Sequence, residues 1–275
     1  MNYRHAFHAG NHTEVFKHAV LAILVCRLLK KSRPFAVIDT HAGIGVYDLT
    51  SEQARKTNEA LSGIGKIFYK SVPSAEAYLR IVRSLNQDGL TRYPGSPAII
   101  RSLLRPHTDR LVANELHDED AVHLRSAFRG DKQVLIHNRD GYEAMLAFVP
   151  PLERRGLVFV DPPFESKAEF ETLAAKLIAA YRKWPTGIFA VWYPIKDRDP
   201  SRRFLGELRA SGILRCLSAE FLLYPMDGAA LAGSGILIIN PPWLLDQEIM
   251  TLCVELTDAF EASEGRWSVE WISQA

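Results

Sequence analysis

Leu157-Val-Phe-Val-Asp161-Pro-Pro-Phe164-Glu165 is the stretch from which the rest of the chain can be read. Residues 157–160 are short, β-branched and aromatic, which suits a strand buried on both faces of a sheet. Two prolines follow. Neither has a backbone N–H to donate, so the ladder ends there. Asp161 and Phe164 are therefore expected on a stiff turn at the carboxyl end of a parallel strand, where open α/β sheets receive their ligands.

Further strands are expected at 35–39, 111–115, 133–138, 187–193, 214–224 and 235–240. Helical patterns lie between most of them, as at 166–184 and 202–211. That alternation predicts a parallel sheet with helices on both faces. Only a short Gly/Ala-rich segment, 227–233, separates the last two strands, too little for a parallel crossover, so they should pair antiparallel. The expected fold is α/β and Rossmann-like: a seven-stranded, mostly parallel sheet with an antiparallel last strand. This is the arrangement of class I S-adenosylmethionine-dependent methyltransferases.

Residues 12–31 carry an apolar stripe of Val15, Phe16, Ala19, Val20, Ile23, Leu24 and Leu28, and Asn11 is a natural N-cap with Glu14 three positions on. One spacing is unusual. The acid ending the second strand, Glu115, lies 70 positions beyond Gly45, where a Rossmann-type sheet uses about 20. The surplus predicts a small inserted helical subdomain over 48–96, with helical runs at 54–70 and 74–85. A helix at 246–262 and a short strand at 267–272 end the chain. The whole reads as one domain, 1–275, with a mobile N-terminal tail at 1–11.

Composition sets the class and little more. The chain has 275 residues, 47% apolar and 24% charged, with a net charge of +1, so any basic surface must be local. Three widely spaced cysteines suggest no disulfide framework, and no apolar run is long enough for a membrane span. A cytoplasmic monomer without metal is expected. Four histidines near the N-terminus match no standard zinc spacing.

The candidate site emerges from strand ends. Four successive strands finish on Asp39, Glu115, Asp140 and Asp161, so four acids should line one edge of the sheet. The loop Asp39-Thr-His41-Ala-Gly43-Ile-Gly45 lets backbone pass close to a ligand. It lacks the third glycine of a dinucleotide loop and the lysine of a P-loop. A neutral amino-acid nucleoside needs neither. Glu115 can accept from both ribose hydroxyls, and Asp140-Gly141 can receive an adenine amino group. The Asp-Pro-Pro-aromatic turn itself is a signature of enzymes that methylate an exocyclic or amide nitrogen. Asn240-Pro-Pro-Trp243 has the same shape. Strand order favours Asp161, leaving Asn240 either to border the same pocket or to cap the sheet. Tyr3, Arg4, His5 and their neighbours suit phosphate contacts and base stacking. The basic loop 196–203 follows the fifth strand and could meet a polyanion.

Several strings together resemble the RlmJ family, which methylates N6 of one adenine in bacterial 23S ribosomal RNA. They are Tyr3-Arg-His5-Ala-Phe-His-Ala-Gly-Asn-His12, Phe16-Lys-His18, Asp39-Thr-His-Ala-Gly43, Tyr93-Pro-Gly-Ser-Pro97, Glu115-Leu-His117, Arg154-Arg-Gly-Leu-Val-Phe-Val-Asp-Pro-Pro163, Trp192-Tyr-Pro194, Ile239-Asn-Pro-Pro-Trp243 and Trp271-Ile272. The resemblance spans nearly the whole chain. It implies that His18, His41, Ser96, Glu115, Asp140, Gly141 and Asp161 contact S-adenosylmethionine, that Asp161 is also catalytic, and that Tyr3 sits on a tail that meets the RNA. Phe164 departs from the tyrosine also common there and keeps the stacking face. The expected chemistry has Asp161 and the Pro162 carbonyl gripping the adenine amino group while Phe164 stacks on the base. Alternatives are methylation of DNA adenine or protein glutamine, or a non-catalytic RNA-binding module.

Overall fold

The computed structural model describes residues 5–166, 168–226 and 231–274. Tyr3 and Arg4 lie outside the described residues. In chain order the elements are α1 (His12–Leu29), β1 (Ala36–Asp39), β2 (Val46–Asp48), α2 (Glu52–Thr57), α3 (Glu59–Ser62), α4 (Ile64–Ile67), α5 (Glu76–Ser84), β3 (Arg92–Pro94), α6 (Ser96–Leu103), β4 (Arg110–Asn114) and α7 (Asp118–Ala127). There follow β5 (Val134–His137), α8 (Gly141–Phe148), β6 (Gly156–Val160), α9 (Glu169–Lys183), β7 (Ile188–Ile195), α10 (Arg198–Ala210), β8 (Cys216–Leu222), β9 (Gly233–Ile239), α11 (Leu245–Phe260) and β10 (Arg266–Ser273).

The main sheet runs β10-β8-β9-β7-β6-β1-β4-β5. β5, β4, β1, β6 and β7 are parallel neighbours, whereas β9 runs antiparallel between β7 and β8. The expected seven strands are present, but the sheet has eight: β10 adds antiparallel to the outer edge of β8. The C-terminal segment thus covers an edge that would otherwise present unpaired N–H and C=O groups.

β6 illustrates why these residues form a central strand. Leu157 and Phe159 enter the core on one face, with α1, α6 and α11; Val158 and Val160 enter the core on the other, with α8, α9 and α10. All five β6 residues are buried. α1 begins as its sequence requires, with Asn11 Oδ1 accepting the Glu14 N–H at 2.9 Å.

Between β1 and β4 the structure departs from a plain pair of helices. The run expected over 54–70 is broken into α2, α3 and α4, with Asn58 at φ 53° and Gly63 at the breaks. Gly63 has no room for a side chain, since a Cβ would stand 2.0 Å from the Gly10 carbonyl oxygen. These short helices pack on the N-terminal segment: Ile64 N–H donates to that same carbonyl at 2.8 Å, and His8 Nδ1 lies 3.0 Å from both Glu59 carboxylate oxygens. β2 and β3, which periodicity did not reveal, form a separate two-stranded antiparallel sheet. No helix among the described residues is long and apolar enough to cross a membrane.

Candidate active site

Asp39 closes β1, Glu115 follows β4, Asp140 is the third residue after β5, and Asp161 follows β6. Because β1 lies between β4 and β6, the four acids line the carboxyl edge in the spatial order 140, 115, 39, 161. The edge opens into a cavity of about 330 Å³. His18, His41, Ser96, Glu115, Asp140, Gly141, Asp161 and Pro162 all line it, and so does His5. The residues expected to hold the cofactor lie around one cavity, whereas Asp39 is buried behind it and Phe164 lines another.

Glu115 braces the glycine loop. Its Oε2 accepts the Gly43 N–H at 2.8 Å and its Oε1 accepts the His117 N–H at 2.8 Å. Each oxygen keeps a second lone pair for a ligand hydroxyl. Burial raises its pKa. Gly43 sits at φ +62°, and a Cβ there would fall 2.1 Å from the Tyr47 hydroxyl oxygen. Asp140 is the N-cap of α8, its Oδ1 accepting the N–H groups of Tyr142 and Glu143 at 3.0 Å each. Its other oxygen is left for a ligand. Gly141 lies against His41: a Cβ would come 2.4 Å from His41 Nε2. Burial lowers the His41 pKa to about 4, so the ring is neutral near pH 7. His18 is held the same way, at about 3, with its Nδ1 2.9 Å from the Tyr93 hydroxyl.

Ser96 reaches the cavity by a route the sequence did not disclose. β3 pairs with β2, Gly95 N–H donates to the Gly45 carbonyl at 2.8 Å, and Ser96 then opens α6 beside the glycine loop. Asp39 is fully buried, and no donor reaches its carboxylate in good geometry. Burial raises its pKa to about 7, only partly offset by the nearby Ser96 hydroxyl and His41 N–H.

The residue that sequence reasoning missed is Lys17. It was visible only as one of many N-terminal polar groups. Its Nζ is buried between Asp161 Oδ2 and Glu14 Oε1 and pairs with both. Burial opposes its charge, but the two carboxylates prevail and raise its pKa. Glu14 is pushed up by burial, yet His5, Lys17 and His18 hold it well below its ordinary value. Burial raises Asp161; Lys17 pulls it back in part, and Glu14 adds to the rise. One helical spacing, Glu14 to Lys17, sets the ion pair on α1, and α1 packs against the sheet so that it meets the end of β6.

A second cavity, about 730 Å³, adjoins the first, and Pro163 lines both. Its walls include His12, Phe164, Phe170, Trp192, Pro194 and Tyr224. Phe164, at φ 52°, stands with its ring centroid 4.7 Å from Phe170 and 5.9 Å from Trp192. Trp192 Nε1 is buried without a hydrogen-bond partner, and Lys17 Nζ lies 5.1 Å from the centre of the Trp192 ring. A planar, nitrogen-rich ligand fits such walls. Asp161 lines the first cavity at the partition, on the same turn as Phe164 in the second.

The Asn240 turn is elsewhere. Asn240 Nδ2 donates to the carbonyls of Pro185 and Gly187 at 2.8 Å each, and its N–H donates to the Arg215 carbonyl. Those groups precede β7 and β8, so the turn caps the edge of the sheet opposite Asp161.

The family model described as "Ribosomal RNA large subunit methyltransferase D, RlmJ" matches residues 32–273. The chain belongs to this family. It is 40% identical to ribosomal RNA large subunit methyltransferase J of Escherichia coli (strain K12) over 277 residues, covering 99% of both chains. Against the protein of the same name from Haemophilus influenzae the identity is 38%, again with 99% of both covered. Among solved structures, protein LPL1258 of Legionella pneumophila superposes with a TM-score of 0.89 at 32% identity, covering 96% of this chain and 98% of that one. A probable spermidine synthase from Corynebacterium glutamicum, at 11% identity and TM-score 0.51, shares the fold alone.

Proposed function

We propose that this chain transfers the methyl group of S-adenosylmethionine to N6 of an adenine in 23S ribosomal RNA. The observation that carries the reading is the pair of adjoining cavities with Asp161-Pro-Pro-Phe164 as their common wall, in a chain that matches the RlmJ methyltransferases over nearly its full length.

The first cavity suits the cofactor. It offers two carboxylates placed for hydroxyl and amino donors, Glu115 and Asp140, and a glycine loop with no room for side chains. His18, His41, Ser96 and Gly141 complete its wall. When bound, S-adenosylmethionine supplies an electrophilic methyl carbon attached to a sulfonium. The chain's own residues prepare the acceptor. With Oδ2 held by Lys17, Asp161 presents Oδ1, and beside it is the Pro162 carbonyl. Each can accept one N–H of the adenine amino group, which turns the nitrogen lone pair out of conjugation with the ring. Phe164 stacks on the base, worth about 1–3 kcal/mol, against the few kcal/mol needed to unstack it from RNA. N6 loses one proton as it gains the methyl group, and Asp161 or water beside it receives that proton. Buried Lys17, paired with Glu14 as well, keeps Asp161 oriented and favours its ionised form.

Residues 1–11 act in this reading as a tail that meets RNA through Tyr3, Arg4 and His5. The short helices within 48–96 act as a subdomain that supports it, as the His8–Glu59 contact suggests. The protein works as a cytoplasmic monomer without metal. The test is twofold. Tritiated S-adenosylmethionine is offered with ribosomal RNA, DNA and protein, and methyladenine is quantified by mass spectrometry in 23S RNA from cells lacking the chain. Label in RNA, and loss of one methyladenine, are expected. Label confined to DNA or protein would refute the reading.

A further inference from the structure

Building on that functional reading, we infer that the start of α10 is a docking surface for the phosphodiester backbone beside the target adenine. The second cavity has an asymmetric rim. On one side stands the Tyr224 ring, 44% exposed and edge-on to His12 at 5.1 Å. On the other, Lys196, Asp197 and Pro200 line the cavity where β7 runs into α10. Between 196 and 203 the chain has four cations, Lys196, Arg198, Arg202 and Arg203, against two carboxylates. One of those carboxylates, Asp197, is engaged as the N-cap of α10, its Oδ1 accepting the Asp199 N–H at 3.1 Å.

The cations are unspent. Among the described residues no carboxylate forms an ion pair with any of the four, although Asp199 and Arg203 are four positions apart on one helix. Arg198 Nε is buried with no hydrogen-bond partner. Five other arginines of this chain are paired, Arg27 with Glu248, Arg83 with Glu76, Arg101 with Asp131, Arg105 with Asp109 and Arg110 with Glu153, so an available carboxylate is taken where the fold supplies one. Helix geometry explains the display. Ser201, Phe204 and Leu208 face the core, which leaves Arg202 and Arg203 exposed on the solvent side. Arg198 and Arg202, one turn apart, form a row leading from the rim.

A chain with net charge +1 has no overall field to draw in a polyanion. A local row of unpaired cations at the mouth of an aromatic cavity is what a flipped nucleotide requires. The base enters between rings, while its flanking phosphates stay outside within reach of Arg and Lys. Phosphate contacts of this kind set affinity and register without reading sequence.

The experiment uses the full chain with Arg202→Ala and Arg203→Ala combined. Both side chains are exposed, so folding should not change; a charge-reversed pair, Arg202→Glu with Arg203→Glu, serves as a second variant. Binding to a 23S fragment is followed by fluorescence anisotropy across salt concentrations, alongside methyl transfer and S-adenosylmethionine affinity. Each lost phosphate contact should make the slope of log K against log salt shallower by about 0.7 for single-stranded RNA, hence about 1.4 for the pair. KM for RNA should rise at least fivefold and more in the glutamate variant, with kcat within twofold and cofactor affinity unchanged. RNA affinity and salt slope equal to wild type would overturn the inference while leaving the functional reading intact. A wild-type chain that transfers no methyl group to RNA would sink both.

Discussion

Asp161 shares a buried proton-rich contact with Lys17, and that pairing shapes what each side chain can do. A carboxylate at the end of a buried strand would drift toward its neutral form, and a neutral acid is a poor acceptor for an amino proton. The ammonium of Lys17, itself secured by Glu14, counters that drift. Asp161→Ala should therefore lower the methyl-transfer rate by about 10²-fold or more, the scale of losing one well-placed polar group. Affinity for S-adenosylmethionine, measured by calorimetry, should weaken far less. Undiminished turnover in that variant would remove Asp161 from the chemistry. The acids were legible in the sequence because each ends an apolar strand, and strand ends fall on one edge. Lys17 was not, because its role depends on α1 meeting β6 across 144 positions, a contact that no local spacing encodes.

At the scale of elements, strand order favours Asp161 over Asn240 as the working turn, and the two turns lie on opposite edges of the sheet. Chain direction supplies the reason. β9 runs antiparallel to β7, so a turn that follows β9 must emerge at the edge where β7 begins. Asn240 works there as a clasp, its amide bridging two carbonyls of the loop before β7. Asn240→Ala should cost about 1–3 kcal/mol of unfolding free energy, since it leaves polar groups without partners. At a temperature where the variant is fully folded, kcat should stay within twofold of wild type. A variant of undiminished stability that cannot methylate would reverse that assignment. Where sequence reading fell short, the elements were small. β2 and β3 are three residues each, below the length at which alternation can be recognised. The helical run over 54–70 looked continuous because Gly63 is tolerated by pattern, whereas its close approach to Gly10 is a tertiary fact.

For the molecule as a whole, three imidazoles are held neutral by burial: His12 and His41 at about 4, His18 at about 3, against an ordinary 6.5. Their folded-state values are depressed, so the unfolded chain binds their protons more readily. The stability they contribute is complete above pH 6.5 and is lost as pH falls toward 4. Each ring contributes a slope of at most about 1.4 kcal/mol per pH unit. Asp39, raised to about 7, works in the opposite sense, joined by the raised His8, Glu115 and Asp161, while His137 is lowered like the three rings; among the large shifts in this pH range the balance is three imidazoles to one carboxyl. Urea unfolding should therefore show stability dropping between pH 7 and pH 5; stability that holds or increases on acidification would contradict this balance. The fold class was legible because seven of the eight main-sheet strands lie in short apolar runs, most of them separated by helical patterns. The eighth, β10, is half-exposed along most of its length and looks polar, so its place beside β8 could not be read.

The partition at Pro163 has a kinetic consequence. The two cavities share that residue and are otherwise lined by different side chains. If cofactor and base occupy one chamber each, as proposed, such a partition predicts random order of addition: in product-inhibition kinetics the demethylated cofactor should compete with S-adenosylmethionine and not with RNA.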